Sequence, residues 1–368
     1  MKFEWKKYTT LLALVGLAIL LTFLTDGIFI TPRNLTNLAR QVSINGILAI
    51  GMTFVILIAG IDLSVGSVVA LTGIVIGLSQ VNWGFSEMGI LGTLLSCALA
   101  IVAGILCGLF NAYWITKQNI TSFITTLGMM VIARGLALIF SNGIAIAPMS
   151  PEFQSVGNGY ISPIVSLIIM GGFLCIPAFA EITKTKTGKI SISALFNISL
   201  ILGLTYIFFN YKGIPIPVLL LALVALGANF VLNRMTIGRY IYALGGNAEA
   251  SRLSGVPTQK VMFFVYVLMG ALSGLSGIIL TSRLNGAMPT AGNLFELDAI
   301  AAVVIGGTSL MGGIGTITGS ILGAFIIGTL NNGMSLMNIP TFYQMVIKGA
   351  IIILAVFFDS NTKKQSST

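Results

Sequence analysis

The chain has 368 residues, of which 56% are hydrophobic and only 8% charged, with a formal net charge of +9 and no histidine. Soluble domains carry roughly 25% charged residues, and a globule with so few could not cover its own surface. Secreted domains, nucleic-acid binders and soluble enzymes are thereby excluded, and the mean hydropathy of +1.01 predicts an all-α, polytopic integral membrane protein.

Lys2, Lys6 and Lys7 precede an apolar run from about Leu11. No small-x-small cleavage site follows, so the run reads as a retained first span. A crossing takes ~20 residues. Further spans are expected at 42–60, 63–80, 88–115, 120–140, 161–181, 190–210, 214–232, 261–281, 297–311, 315–333 and 345–358. That makes about 10–12 transmembrane helices, several broken by glycine, and the stretch 297–333 also admits a re-entrant segment.

With the N-terminus inside, one set of connections holds Lys2, Lys6, Lys7, Lys117, Lys184, Lys186, Lys189, Arg234, Arg239, Arg252, Lys260, Lys363 and Lys364. The other holds only Arg33, Arg40, Lys212 and Arg283. This positive-inside bias puts both termini in the cytoplasm. It also puts the polar stretch 141–160 outside and the longest cytoplasmic loop at 234–260. Neither is long enough for an enzyme domain.

Cys97, Cys107 and Cys175 lie inside apolar segments and read as small core residues. A phosphate-binding loop requires G-x-x-x-x-G-K-[ST]. The nearest approach, TKTKTGKI at 183–190, lacks the first glycine and ends in Ile190. No ATP site is therefore expected in this chain, and without histidine or clustered cysteine an intramembrane enzyme has no chemistry to use.

The loop GGNAEASRLSG at 245–255 reads as a short helix. Asn247 is a natural N-cap with Glu249 in the first turn. Gly255 ends the helix, and Pro257 blocks its continuation. Glu249, Ala250 and Gly255 resemble the EAA-x-x-x-G signature of ABC importer permeases.

The resemblance is wider than that loop. AGIDLSVGS at 59–67, GRYIYALGGN at 238–247, LDAIAA at 297–302, IGGTS at 305–309 and NNGM at 331–334 all resemble the ribose/xylose class of sugar ABC permeases. TDG at 25–27, RNLTN at 33–37, PTFYQ at 340–344 and KGA at 348–350 are similar to its xylose type. So is an additional two-span segment at about 160–212, with its basic loop at Lys184–Lys189. The resemblance implies a single permease domain over 1–368, in the bacterial cytoplasmic (inner) membrane, paired as a homodimer. It implies an extracytoplasmic sugar-binding protein and a tandem-domain ATPase as partners, with ATP and Mg bound by the ATPase and no cofactor in this chain. It implies that the helix at 245–255 docks on that ATPase, with Arg239, Gly245, Gly246, Asn247, Glu249, Ala250, Arg252, Leu253 and Gly255 forming the coupling element. The expected cargo is a pentose, D-xylose first, with ribose, arabinose or galactose as alternatives.

Ionisable groups at membrane depth are costly and face a cavity or partner. Asp62, Arg134 and Asp298 are candidates for the path or gate. Asp62 also reads as an N-cap where the chain restarts. Arg134 needs a carboxylate or carbonyl partner, and a structural ion pair with Asp62 or Asp298 is the preferred reading. Glu296 and Asp298 also suit the start of a helix. A secondary transporter would instead use Asp62 or Asp298 as an ion site. A sugar presents hydroxyls, for which amides and hydroxyls are adequate partners. Asn45, Ser64, Asn111, Thr308, Ser309, Asn331 and Asn332 are therefore path candidates, and each also suits a hydrogen bond between helices.

GIDLSVG at 60–66 can be laid on GTSLMGG at 307–313, as in transporters with paired broken segments. The pairs Gly73/Gly77, Gly104/Gly108 and Gly270/Gly274 and the run Gly315/Gly319/Gly323 predict close helix contacts. The 315–323 run could alternatively serve a dimer interface. Trp5, Trp83 and Trp114 read as interfacial anchors.

Overall fold

The computed structural model describes residues 9–172, 192–351 and 353. The expectations placed on Lys2, Lys6, Lys7, Trp5, Cys175, Lys184, Lys186, Lys189, Lys363 and Lys364 lie outside the described residues, as does the TKTKTGKI run.

The chain is all-α. Its helices are α1 (Thr9–Leu24), α2 (Pro32–Leu57), α3 (Val65–Gly77), α4 (Gly89–Thr116), α5 (Ser122–Ser141) and α6 (Pro151–Asn158). After α7 (Pro163–Gly172) come α8 (Ile192–Phe209), α9 (Ile216–Arg234), α10 (Thr236–Gly246) and α11 (Ala248–Leu253). Then follow α12 (Thr258–Leu284), α13 (Phe295–Ile305) and α14 (Ile317–Leu336), and α15 over 341–351. Extended pairing among the described residues is limited to two bridges, Ile146 with Ala287 and Tyr160 with Pro215.

Among the described residues, six helices are long and apolar enough to cross a membrane: α2, α3 with its π-turn to Asn82, the 3-10 turn plus α4, α5, α9 and α12. Helix α14 has the length but is diluted by polar residues. Asn331 and Asn332, for example, sit in α14.

Helix α2 is the axis of the molecule. It is buried along most of its length, against α12, α14, α9 and α13. The expected span began at 42, but the helix begins ten residues earlier. Thr31 caps it by accepting from the Asn34 amide, and Pro32 occupies the first turn, where a missing N–H costs nothing.

Glycine decides the closest packing. Helices α4 and α12 run antiparallel, with a Cβ at Gly104 overlapping the Gly270 carbonyl and one at Gly108 meeting the Tyr266 carbonyl at 2.6 Å. Helix α3 runs parallel to α12, with Gly277 against Val69 and Thr72 and Gly73 against Thr281. Gly319 and Gly323 seat α14 on Gly306 and Ala302 of α13. The 315–323 run thus packs within one chain, and the alternative of a dimer interface for it falls away.

The expected span 297–311 is corrected by the structure. Asn285 takes a left-handed conformation (φ 53) just after α12, and the chain turns back as an irregular segment over 285–294. Helix α13 starts only at Phe295, after a left-handed Leu294 (φ 64). Pro289 and Gly292 explain the break: the first lacks a donor and the second adopts φ +68. Half of this crossing is loop and half is helix: the chain enters at the Leu284 end and continues through α13 to the α10 end, a broken crossing rather than a re-entrant one.

Candidate functional site

Helix α12 serves as a ruler, because every functional element touches it or its neighbours. The end that carries α10 and α11 is its start; the other end lies at Leu284.

The irregular segment 285–294 enters from the Leu284 end. It is pinned first by Ile146 and Ala287, which exchange both backbone hydrogen bonds at 2.9 Å. Its Gly292 carbonyl then lies against Gly66 at the start of α3, so closely that no Cβ fits at either glycine. Through the α3–α12 register this depth is near the midpoint of α12. From α5, Arg134 Nη1 donates to the Pro289 carbonyl and, at 2.8 Å, to the Ala291 carbonyl. The expected ion pair to Asp62 or Asp298 is therefore corrected. The partners are two carbonyls that the irregular segment leaves without helical donors, and both accept from the one Nη1.

Beside this strut lies a cleft of about 410 Å³ lined by Ser67, Met130, Val131, Arg134, Gly135, Leu138, Asn293 and Glu296. Val131 and Leu138 stand exposed at its lip. It thus places a cation, a carboxylate, an amide and a hydroxyl in one half-open space midway along the bundle. Glu296 was read only as a helix-start residue; its Oε2 lies 2.5 Å from where a Gly66 Cβ would stand.

Asp62 sits in the non-helical stretch between α2 and α3 and is 2% exposed. Its Oδ1 accepts from the Ser64 backbone N–H at 2.8 Å and the Ser64 hydroxyl at 2.6 Å. Asn111 of α4 donates to Ser64 Oγ at 3.2 Å. Ser122 and Thr126 of α5 accept from the amides of Ile61 and Leu63. Asp62, Ser64 and Asn111 thus form one network that shapes the break ahead of α3 and lies away from the cleft. Tyr266 of α12, which sequence reasoning missed, closes it: a Cβ at Gly60 would meet its hydroxyl at 2.5 Å. A tyrosine buried in an apolar span was the available signal.

Asn45, Asp298 and Asn331 meet elsewhere. With Gln41, Arg283, Phe295, Ser335, Gln344 and Lys348 they line a polar cavity of about 160 Å³. Lys348 Nζ reaches Asp298 Oδ2 at 3.1 Å, and Asn45 donates to the same oxygen at 3.4 Å. Phe295 faces this cavity and Glu296 the cleft, so the first turn of α13 separates two polar spaces. Asn332 is not with them. It exchanges two hydrogen bonds with Asn34 at 2.9 and 3.0 Å, clamping α14 to the start of α2.

Thr308 and Ser309 belong to a third place. They lie in the irregular segment 306–316, where Ser309 orders a turn through its backbone and hydroxyl. There Gly313 N donates to the Leu57 carbonyl at the end of α2, at 3.0 Å. Gly245 packs so tightly on that carbonyl that no Cβ fits. Tyr242 donates to the Gly315 carbonyl at 2.8 Å. The segments 58–64 and 306–316, which hold most of the stretches 60–66 and 307–313 laid on one another as a possible repeat, meet at Ala59 and Gly312, beside the end of α10.

Helix α11 forms where the sequence places it. Asn247 Oδ1 accepts from the Ala250 amide at 2.9 Å, Glu249 pairs with Arg252 at 2.7 Å in the open, and Gly255 ends the turn at φ +82. The Arg252 guanidinium, through its hydrogen bonds, holds the Glu249 carboxyl below its ordinary pKa. Gly246, Ala250 and Leu253 are exposed, Leu253 at 75%. Arg239 reaches Thr236 at 3.4 Å. Gly245 is a packing residue by contrast, closed to any partner.

A family model described as branched-chain amino acid transport system / permease component matches residues 34–356. The chain is 40% identical to the xylose transport system permease protein XylH of Escherichia coli K12, with 98% of this chain and 93% of the relative covered. It is 39% identical to XylH of Haemophilus influenzae, with 96% of each covered. It is 40% identical to the ribose import permease protein RbsC of Escherichia coli K12, with 97% and 94% covered. No solved structure matches the chain.

Proposed function

This chain belongs to the branched-chain amino acid transport system / permease component family, and from that premise we propose that it is the membrane-spanning subunit of an ATP-driven, binding-protein-dependent importer of a pentose, D-xylose. The family description names amino acids, whereas the relatives similar over nearly the whole length are named for xylose and ribose. Identity to the two is equal, so the choice of xylose rests on the motifs at both ends of the chain and on the additional segment at about 160–212. The whole of 1–368 acts as one permease unit, non-catalytic, with ATP and Mg handled by a separate tandem-domain ATPase.

The observation that carries the path is the half-open cleft at Arg134, Asn293 and Glu296. Charged groups at this depth are not left facing lipid, so a water-filled path completed by a second copy is the covering that suits them. Asp62, Ser64, Asn111, Asn45, Asp298, Thr308, Ser309, Asn331 and Asn332 support the path's walls and hinges from behind. Movement of the first turn of α13 and of the segment 285–294 opens and closes the cleft in alternating access. The α10–α11 end faces the cytoplasm of the bacterial inner membrane, as the basic residues direct, with the termini on the same side. There Leu253 and the Glu249–Arg252 pair meet the ATPase, and the Gly245–Leu57–Gly313 node passes its motion to α2 and the 306–316 turn.

Reconstitution in vesicles tests this reading. Uptake of D-xylose that requires the binding protein, the ATPase and ATP is the expected result. Uptake by the chain alone under a proton or sodium gradient would overturn it and make Asp298 the ion site to examine.

A further inference from the structure

Helices α4 and α12 touch at Gly104 and Gly270 and enclose a groove of about 550 Å³ on the way toward the α10–α11 end. Its floor is a stripe on one face of α12: Phe263, Phe264, Val267 and Ala271, one helical turn apart and half-buried. Its mouth carries Lys117 and Lys260, both exposed. Among the described residues neither lysine has a carboxylate within ion-pair distance.

We propose that this groove is a binding site for an anionic phospholipid, with an acyl chain along α12 and the phosphate headgroup held by Lys117 and Lys260. From Lys260 to Ala271 the helix rises about 16 Å, close to the ~15 Å of hydrocarbon in one leaflet. The groove is therefore apolar along the depth of one leaflet and positive at the level of its headgroups. Basic pockets between spans on the cytoplasmic side recognise anionic headgroups in this way. A protein in the aqueous phase reaches the lysines but not the floor, and a second copy packed here would set unpaired lysines into an apolar seam.

The full chain, purified in detergent and delipidated, is titrated with phosphatidylglycerol or phosphatidylcholine. Retained lipid is counted by native mass spectrometry. The expected result is a preference for phosphatidylglycerol of about thirtyfold, the scale of two lysines at an anionic headgroup. That preference falls toward one in Lys117→Gln/Lys260→Gln. Ala271→Trp, which fills the floor and leaves both lysines in place, loses the bound lipid of either kind. Arg234→Gln, an exposed cation elsewhere at the same end, changes neither. Equal retention of the two lipids by the parent chain overturns the proposal, as does an undiminished preference in the lysine double variant. Dimers cross-linked through Ala271→Cys would also overturn it, because the groove would then be a seam between copies.

Discussion

Lys348 of α15 and Asp298 of α13 meet at 3.1 Å, their side chains 23% and 6% exposed. The pair ties the helix that follows α14 to the half-helix of the broken crossing, with the Asn45 amide of α2 on the same oxygen.

Breaking that pair from one side leaves a buried charge alone. Lys348→Met or Asp298→Asn is expected to cost about 3 kcal/mol or more. The double variant recovers most of the loss, because both desolvation costs go together. Thermal unfolding of the purified chain, followed by size-exclusion of what stays monodisperse, measures the cycle. Equal instability of the single and double variants would mean that the pair is incidental.

Arg134 acts through reach as well as charge. Arg134→Lys keeps the charge but is one atom shorter than the arm that carries Nη1 to the Pro289 and Ala291 carbonyls. Xylose uptake is expected to fall on the order of tenfold, the scale of one or two charged hydrogen bonds, and Arg134→Gln falls further. Cysteine accessibility at position 293 reports whether the 285–294 segment has moved. Lysine transporting at the parent rate would remove the strut from the mechanism.

The glycine seam makes opposite forecasts for two glycines of similar appearance. Gly270→Val drives a side chain into the Gly104 carbonyl and should abolish stable expression. Gly128→Ala, where a Cβ meets nothing within 4 Å, should be neutral or mildly stabilising, since alanine is the better helix former. Fluorescence-detected chromatography of tagged variants separates the two.

Helix α11 lends itself to variants that spare the fold. Leu253→Asp and Glu249→Arg change exposed side chains and should leave thermal stability unchanged while ending copurification of the ATPase. Asn247→Ala removes the cap, at about 1 kcal/mol of local helix stability, and should weaken copurification in part. Because Arg252 lowers the Glu249 pKa, the pair is intact above the ordinary carboxylate range and is lost as pH falls through the lowered value. Association is therefore expected to stay flat from about pH 8 to about pH 5. A decline already at pH 6 would point to another titrating group.

The membrane class and α11 were legible because each rests on local signals: hydropathy, and a cap with its stop. The start of α2 was not, since Arg33, Asn34 and Arg40 dilute a helix whose neighbours shield it. Nor was the end of α13, because the run from 297 to 311 reads as continuous whereas the helix stops at Ile305 and the crossing begins as loop at 285–294. The grouping of the polar residues singled out in the sequence was not readable. Asn331 and Asn332 are neighbours in sequence, yet one lines the Asp298 cavity and the other clamps Asn34, because adjacent residues on a helix point about 100° apart. For Arg134 a carbonyl partner was among the sequence readings, but which carbonyls was not readable, because only the folded 285–294 segment frees those of Pro289 and Ala291.

The shielding of α2 bears on how the chain is made. It is the least hydropathic of the six membrane-length helices and the most enclosed by its neighbours, with Ser43, Asn45 and Thr53 along it. A segment entering the bilayer is partitioned on its own apolarity, and α2 emerges from the ribosome long before α12 and α14, the helices that cover it. During synthesis it therefore has to wait at the insertion machinery or in the company of α1 and α3. Its permanent neighbours arrive some two hundred residues later, when the assembly of the bundle, rather than its own affinity for lipid, fixes it in place.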